Sequence, residues 1–313
     1  MGRHHRQKAS ALLTALFITA ICAIIATAVI YKFRLLVHLA ALNNFSNQSY
    51  LYLNGVQDQA ESDLARYYTN WQTPTANSLL TMPRNIGPQK FENVRLYAHV
   101  IDAEGLFNIN MLASTNNQSR FINLLHSVAP NLSQQKALQL TQHITDWLSL
   151  SNTGDQIYAR LHPPYRAGHQ PMLDLSELRM VAGMTPTIFN AIKPYLTAIP
   201  AAEGQTTPIN INTASPGVLL TLSSAMDITK AQALYACRQG HGVFLSVADY
   251  NKTCVQPLGI SSLKDITTHS NYFIVDSTAT TRHQQVTLKS MLSTVQNSKT
   301  KATESYVVWQ MSG

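Results

Sequence analysis

From Ala9 to Tyr31 the chain reads ASALLTALFITAICAIIATAVIY, an apolar run without a single charge. About 20 such residues cross a bilayer as one helix, and no second run of this length follows. Arg3, His4, His5, Arg6 and Lys8 precede the run. Such a leader favours a cytoplasmic N-terminus, a bias that Lys32 and Arg34 on the far side weaken. Beyond it, Leu35, Leu39, Leu42, Phe45, Ser49, Tyr52 and Val56 recur at steps of three or four, with no Gly or Pro before Gly55. That is a helical period. One helix over about residues 11–60 is expected, half in lipid and half against a soluble body, with Leu39 and Leu42 on the stripe facing the body or neighbouring helices. A cleaved secretory signal is the competing reading, with Ala26-Thr27-Ala28 as its weak cleavage site. A signal does not need the helical continuation.

Residues 68–90 hold three prolines and no period, which reads as a loop. Phe91–Asp102 alternates with Val94, Leu96, Ala98 and Val100 on one side, a strand signal. Asp102-Ala-Glu-Gly105 reads as a turn, and Leu106–Leu112 as a second strand or its frayed end. A helical block follows: Arg120–Val128, then a helix capped by Ser133 with Ala137, Leu140, Ile144 and Trp147 buried. Residues 149–172 are a loop. Asp174-Leu-Ser-Glu177 resembles a capping box and opens a helix through about Val181, and Thr185-Pro186 opens a helix to about Ala198. After a linker, Thr213 or Ser215 caps 217–222, Asp227 caps 229–238 up to Gly240, and Ser246 starts a short turn. The period returns to two in Asn271–Asp276, Gln284–Ser290 and Ser305–Gln310. Late strands pairing with early ones leave fewer exposed edges than a lone meander. The fold class is therefore α+β: a long N-terminal helix on a small antiparallel sheet, with a large all-α domain inserted. The segments are 1–9, a leader; 10–32, the transmembrane part; 33–111, helix and first strands; 112–270, the insert, in subdomains of about 112–200 and 208–270; and 271–313, the returning strands.

Charge changes this picture little. Arg3, Arg6 and Lys8 supply three of the net +7, so the exported part is a weak candidate for nucleic acid. Of three cysteines, Cys22 lies in the apolar run. Cys237 and Cys254 form a disulfide or remain two buried thiols, since spacing alone does not decide their approach. No nucleophile elbow, phosphate loop or HExxH helix is present. Ser133–Lys136 and Ser261–Lys264 match S-x-x-K by chance, and His162, His169, His241 and His269 lack metal-ligand spacing. The loop Asp146–Asp155 is the best calcium candidate, through Asp146, Asn152 and Asp155 with Ser151, Thr153 and carbonyls; the alternative is a capped, hydrogen-bonded loop. Residues 209–250 look like a helix-hairpin-helix (SAM-like) unit of DNA-uptake proteins, and 175–197 has a similar cast. The hairpin Ser223-Ser-Ala-Met-Asp227 lacks the glycines that let backbone N–H groups reach a phosphate.

Asp146-Trp147, LHPPYR at 161–166, 175–197, TPININTASPGVLL at 207–220 and FNIN at 107–110, with the N-terminal helix, resemble the type II secretion system minor pseudopilin K family. The resemblance spans nearly the whole chain. It implies a pseudopilin fold with a large helical insert, and a structural, non-catalytic subunit at the tip of the pseudopilus that supports export across the outer membrane. It implies a Gram-negative inner-membrane protein, with a cytoplasmic N-terminus and its bulk in the periplasm. It also implies leader cleavage by a prepilin peptidase between Ala9 and Ser10, with methylation of the new N-terminus. Glycine is usual before that cut. Most pseudopilins carry a glutamate five residues on; the K family lacks it, and Thr14 stands there. The implied partners are the minor pseudopilins I and J and the pseudopilins below the tip. Calcium is implied for an acid-rich loop, whose counterpart here reads Leu150-Ser151-Asn152. The alternative function is a membrane-anchored helix-hairpin-helix DNA-binding protein of DNA uptake.

Overall fold

The computed structural model describes residues 3–72, 84–91, 93–151, 154–200, 206–282, 284–297 and 302–313. Helix α1 runs unbroken over Arg3–Gln72, longer at both ends than its period indicates. Pro74 follows two positions later, and a proline disfavours helix in the residue before it. At 1.5 Å per residue, these 70 residues span about 105 Å. Leu53, Val56, Ala60, Leu64 and Tyr67 form the buried stripe of its C-terminal third.

That stripe lies on a five-stranded antiparallel sheet in the order β1-β2-β7-β8-β9. Its strands are β1 (Asn85–Phe91), β2 (Val94–Asp102), β7 (Tyr272–Thr280), β8 (Gln285–Gln296) and β9 (Thr303–Ser312). Leu96, Ala98 and Val100 of β2, Phe273 and Val275 of β7, and Leu288 and Leu292 of β8 face α1. The early and late strands meet in register, Asp102 opposite Phe273 and Arg95 opposite Thr280. Residues 85–91 are a strand where a loop is expected. Ile86 is the buried residue of β1, and a bulge between Ile86 and Gln89 breaks its alternation, so no period of two shows.

Between β2 and β7 lies the insert. Its first unit holds β3 (Phe107–Asn108), α2 (Thr115–Val128), α3 (Gln134–Leu148), α4 (Asp155–Tyr158), α5 (Pro186–Ile192) and β4 (Leu196–Thr197). Its second holds β5 (Ile209–Asn210), α6 (Pro216–Leu219), α7 (Ile228–His241), α8 (Val247–Tyr250) and β6 (Ile266–Thr267). Each unit has its own apolar core, one around Phe107, Phe121, Ile144 and Tyr158, the other around Leu219, Leu234, Phe244 and Tyr250. The insert's core thus begins at Phe107, not at 112, and the strand expected over 106–112 is two residues followed by a tight turn at Ile109–Ala113. Capping side chains start the helices where the sequence places them. Ser133 accepts from Lys136 N, Thr185 from Ile188 N, Asp227 from Lys230 N and Ser246 from Asp249 N. The Asp174–Glu177 capping box is formed, although it opens a tight 3-10 turn, not an α-helix. Ser215 rather than Thr213 caps α6. Helix α7 continues to His241 and ends at Gly242, whose φ of 92° suits glycine.

The two units share one construction. In each, the opening strand pairs in parallel with the closing strand, Phe107 with Leu196 and Ile209 with Ile266. In each, that strand carries Asn-Ile-Asn, at 108–110 and at 210–212. The insert leaves and rejoins the sheet beside the C-terminal end of α1, where Trp71 stacks on His269 with centroids 5.8 Å apart and Tyr67 meets Phe273.

Candidate assembly face, ion loop and joint

Residues 13–44 are exposed throughout, and contact with the body starts at Phe45 and Ser49. Leu35, Leu39 and Leu42 therefore do not lean on the body; they are 49%, 46% and 37% exposed. An apolar stripe left bare above an apolar run is a face for other helices or for lipid. Ala9, Ser10 and Thr14 all lie within this helix, with no break at the expected cleavage point. The described part of α1 contains one stretch long and apolar enough to cross a membrane.

The loop after α3 is built by Asp146, Asp155 and His169. Gly154 packs so closely on Asp146 that a Cβ added there would lie 2.7 Å from the Asp146 Cβ. Asp155 Oδ1 receives His169 Nε2 at 2.8 Å and the Ala167 N–H at 3.2 Å. His169 Nδ1 faces the Ser149 carbonyl at 2.8 Å. Both ring nitrogens face acceptors, so the arrangement calls for a doubly protonated imidazolium. These bonds raise the His169 pKa, Ser149 contributing most, and hold the Asp155 carboxyl below its ordinary range. Asp146 Oδ1 accepts from Gln142 Nε2 at 2.8 Å. Calcium takes six to eight oxygens. Here each of two carboxylates is already engaged by protein donors and one sits against a cation, so the described residues do not fit that ion. They gather no cluster of three ionisable metal ligands. Asn152, the third expected ligand, lies outside the described residues.

Cys237 of α7 and Cys254 after α8 are joined as a disulfide, with Cα atoms 5.7 Å apart. At the hairpin before α7, Asp227 caps the helix and stands 3.5 Å from Lys230 Nζ. Arg238, one of the few cations of this unit, is buried and donates at 2.6 Å to the carbonyls of both Ile211 and Ala214. Its charge is spent on backbone, which leaves less for a phosphate.

Two features were not visible as function in the sequence. One is the pair of asparagine straps. Asn110 holds Met172 through both N–H and carbonyl and also donates to Ile199 O; Asn212 does the same to Phe244 and Thr268 O. The repeated Asn-Ile-Asn was the signal for it. The other is the turn at 102–105. Asp102 Oδ1 accepts the N–H groups of Glu104 and Gly105, and Oδ2 accepts from Asn210 Nδ2 and Thr213 Oγ1. Glu104 accepts the Asn271 N–H at 2.9 Å. Both carboxyl groups are buried, Asp102 at 5% exposure and Glu104 at 2%.

Residues 105–201 match the family model described as type II secretion system (T2SS), protein K. A type II secretion system protein K of Klebsiella pneumoniae is 26% identical over 293 residues, covering 87% of each chain. The Pseudomonas aeruginosa protein of that name is 25% identical, covering 80% of this chain and 78% of that one. By fold, the chain is similar to a chain of the crystal structure of the GspK-GspI-GspJ complex from enterotoxigenic Escherichia coli. The TM-score is 0.67 at 20% identity, covering 88% of this chain and 99% of that one. The fold is thus shared over most of this chain. The chain thus matches the protein K domain model over the first unit of the insert and is similar to type II secretion system proteins K over most of its length.

Proposed function

We propose that the chain is a minor pseudopilin at the tip of the type II secretion pseudopilus, capping the filament and supporting protein export across the outer membrane. The observation that carries this reading is where the insert sits. It joins the sheet beside the C-terminal end of α1, at the opposite end of the rod from the bare apolar stripe. Helices stacked along that stripe are free to add below; two packed units occupy the space above. Thr14 in place of an acidic residue fits a subunit that receives no neighbour from above. The role requires no catalysis.

In this reading α1 is a single-pass anchor in the inner membrane, with its N-terminus cytoplasmic and the rest periplasmic. A prepilin peptidase cuts between Ala9 and Ser10. The Cys237–Cys254 bridge suits an oxidising compartment. The partners are the minor pseudopilins I and J, with which the similar Escherichia coli chain was solved. Co-expression of the full chain with tagged I and J proteins, solubilised in detergent, should yield an equimolar ternary complex on sizing. Three separate peaks would overturn the tip assignment. Duplex DNA retarded by the chain at low salt and released as salt rises would favour the DNA-uptake alternative instead.

A further inference from the structure

The two chain crossings between sheet and insert, together with the start of the second unit, converge on two carboxyl groups. The outgoing crossing supplies Asp102 and Glu104 themselves. The start of the second unit supplies Asn210 and Thr213: Asn210 donates to Asp102 through its side chain, and its N–H reaches the Glu104 carbonyl at 2.7 Å. The returning crossing supplies Ser270, which accepts from Asn210 Nδ2 at 2.8 Å, and Asn271, whose N–H reaches Glu104 Oε2. The seat is tight. A Cβ on Gly105 would lie 2.5 Å from Thr213 Oγ1.

Among the described residues no cation pairs with these acids. The titratable groups that face them are Tyr67 from α1 and His269 from the returning crossing, and burial lowers the His269 pKa, favouring the neutral ring. Two buried carboxylates side by side cannot both be charged at low cost. Burial raises the pKa of both, and the hydrogen bonds say which one yields its proton more readily. Four donors address the oxygens of Asp102, which suits an anion. Glu104 receives fewer, one backbone N–H from Asn271 and the Ser270 side chain.

We propose that Asp102 and Glu104 form a proton-held joint: a proton kept on Glu104 seats the insert on the sheet, and its loss loosens that seat. Burial above all, with the nearby Asp102 charge adding to it, pushes the Glu104 pKa up to about 8. Its ordinary value is 4.5. Below that ordinary value the proton is bound in both the seated and the opened joint. Between there and about 8 only the seated joint keeps it, so seating weakens as pH rises, by at most about tenfold per pH unit for one proton.

The test uses the full chain in detergent micelles. Amide hydrogen exchange at Asn210 and Asn271, corrected for the intrinsic pH dependence of exchange, is followed from about pH 6 to about pH 9. Opening at these two amides should rise with pH while Val275 and Leu288, inside the sheet, stay protected. In Glu104→Gln the rise should vanish, and Asp102→Asn should keep a protonated Glu104. Infrared spectra of the wild type should show a carboxylic acid carbonyl band at about pH 7 that disappears above about pH 8 and is absent from Glu104→Gln. Equal pH slopes in wild type and Glu104→Gln, or no acid band near neutral pH, would overturn the joint. If Glu104→Gln does not fold, the band in the wild type decides alone.

Discussion

Asn110 shows what a single side chain contributes here. It closes a loop against residues 62 positions away by offering the backbone at Met172 both a donor and an acceptor. Asn110→Ala leaves buried groups at Met172 and Ile199 without partners and should cost about 3 kcal/mol, read as a lower midpoint in urea unfolding. His169 works through charge. Its pKa is raised, so its contribution is complete below the ordinary 6.5 and is lost as pH rises through the raised value. The Asp155 pKa is lowered, so its contribution holds above the ordinary 3.8 and fades as pH falls through the depressed value. The loop is thus tightest from about pH 4 to about pH 6.5. His169→Gln should remove the alkaline limb from a pH series of melting temperatures, and calcium or a chelator should leave the midpoint where it is. The capping residues were legible in sequence because a cap acts within three positions; Ser133, Asp174, Thr185, Asp227 and Ser246 all cap as the pattern indicates. The asparagine straps and the Asp102–Glu104 joint were not, because their partners are distant in the chain and no local period marks them.

Among the elements, α1 was legible as a helix, but not the point at which its own body starts to cover it. The three-four period of Leu35, Leu39 and Leu42 reports an apolar face but not which surface covers it. In this chain the cover begins only at Phe45. Leu39→Asp and Leu42→Asp should therefore leave the thermal stability of the soluble part unchanged while lowering recovery with I and J, measured by co-purification. Leu64 is the opposite case. It is fully buried against the sheet, and Leu64→Ala should cost about 2–5 kcal/mol in denaturant unfolding. The disulfide closes a sequence separation of 17 residues, and Cys237→Ser should cost about 3 kcal/mol. Strand β1 escaped the sequence reading because its alternation is broken by a bulge, which also makes it a poor edge for unwanted pairing.

At the level of the whole molecule, the sequence carried the order of elements well: helix, strands, helical block, strands. The late strands pair with the early ones because β2 and β7 each present a row of apolar residues to the same face of α1. What it could not carry is where the insert stands relative to the rod, since that follows from which end of the sheet the crossings use. The internal repetition of the insert was half legible. Asn-Ile-Asn stands twice in the sequence, yet only paired parallel strands at 107–196 and 209–266 reveal the two stretches as equivalent openings of two units.

The bare segment of α1 between the apolar run and the body has a mechanical consequence. Residues 33–44 form a neck about 18 Å long, at 1.5 Å each, with no glycine or proline to bend it. A displacement at the foot of the rod therefore reaches the head almost undiminished, and the clearance between bilayer and head is set by counting residues. Lengthening the neck by one heptad would raise the head by about 10 Å while keeping its apolar face nearly aligned.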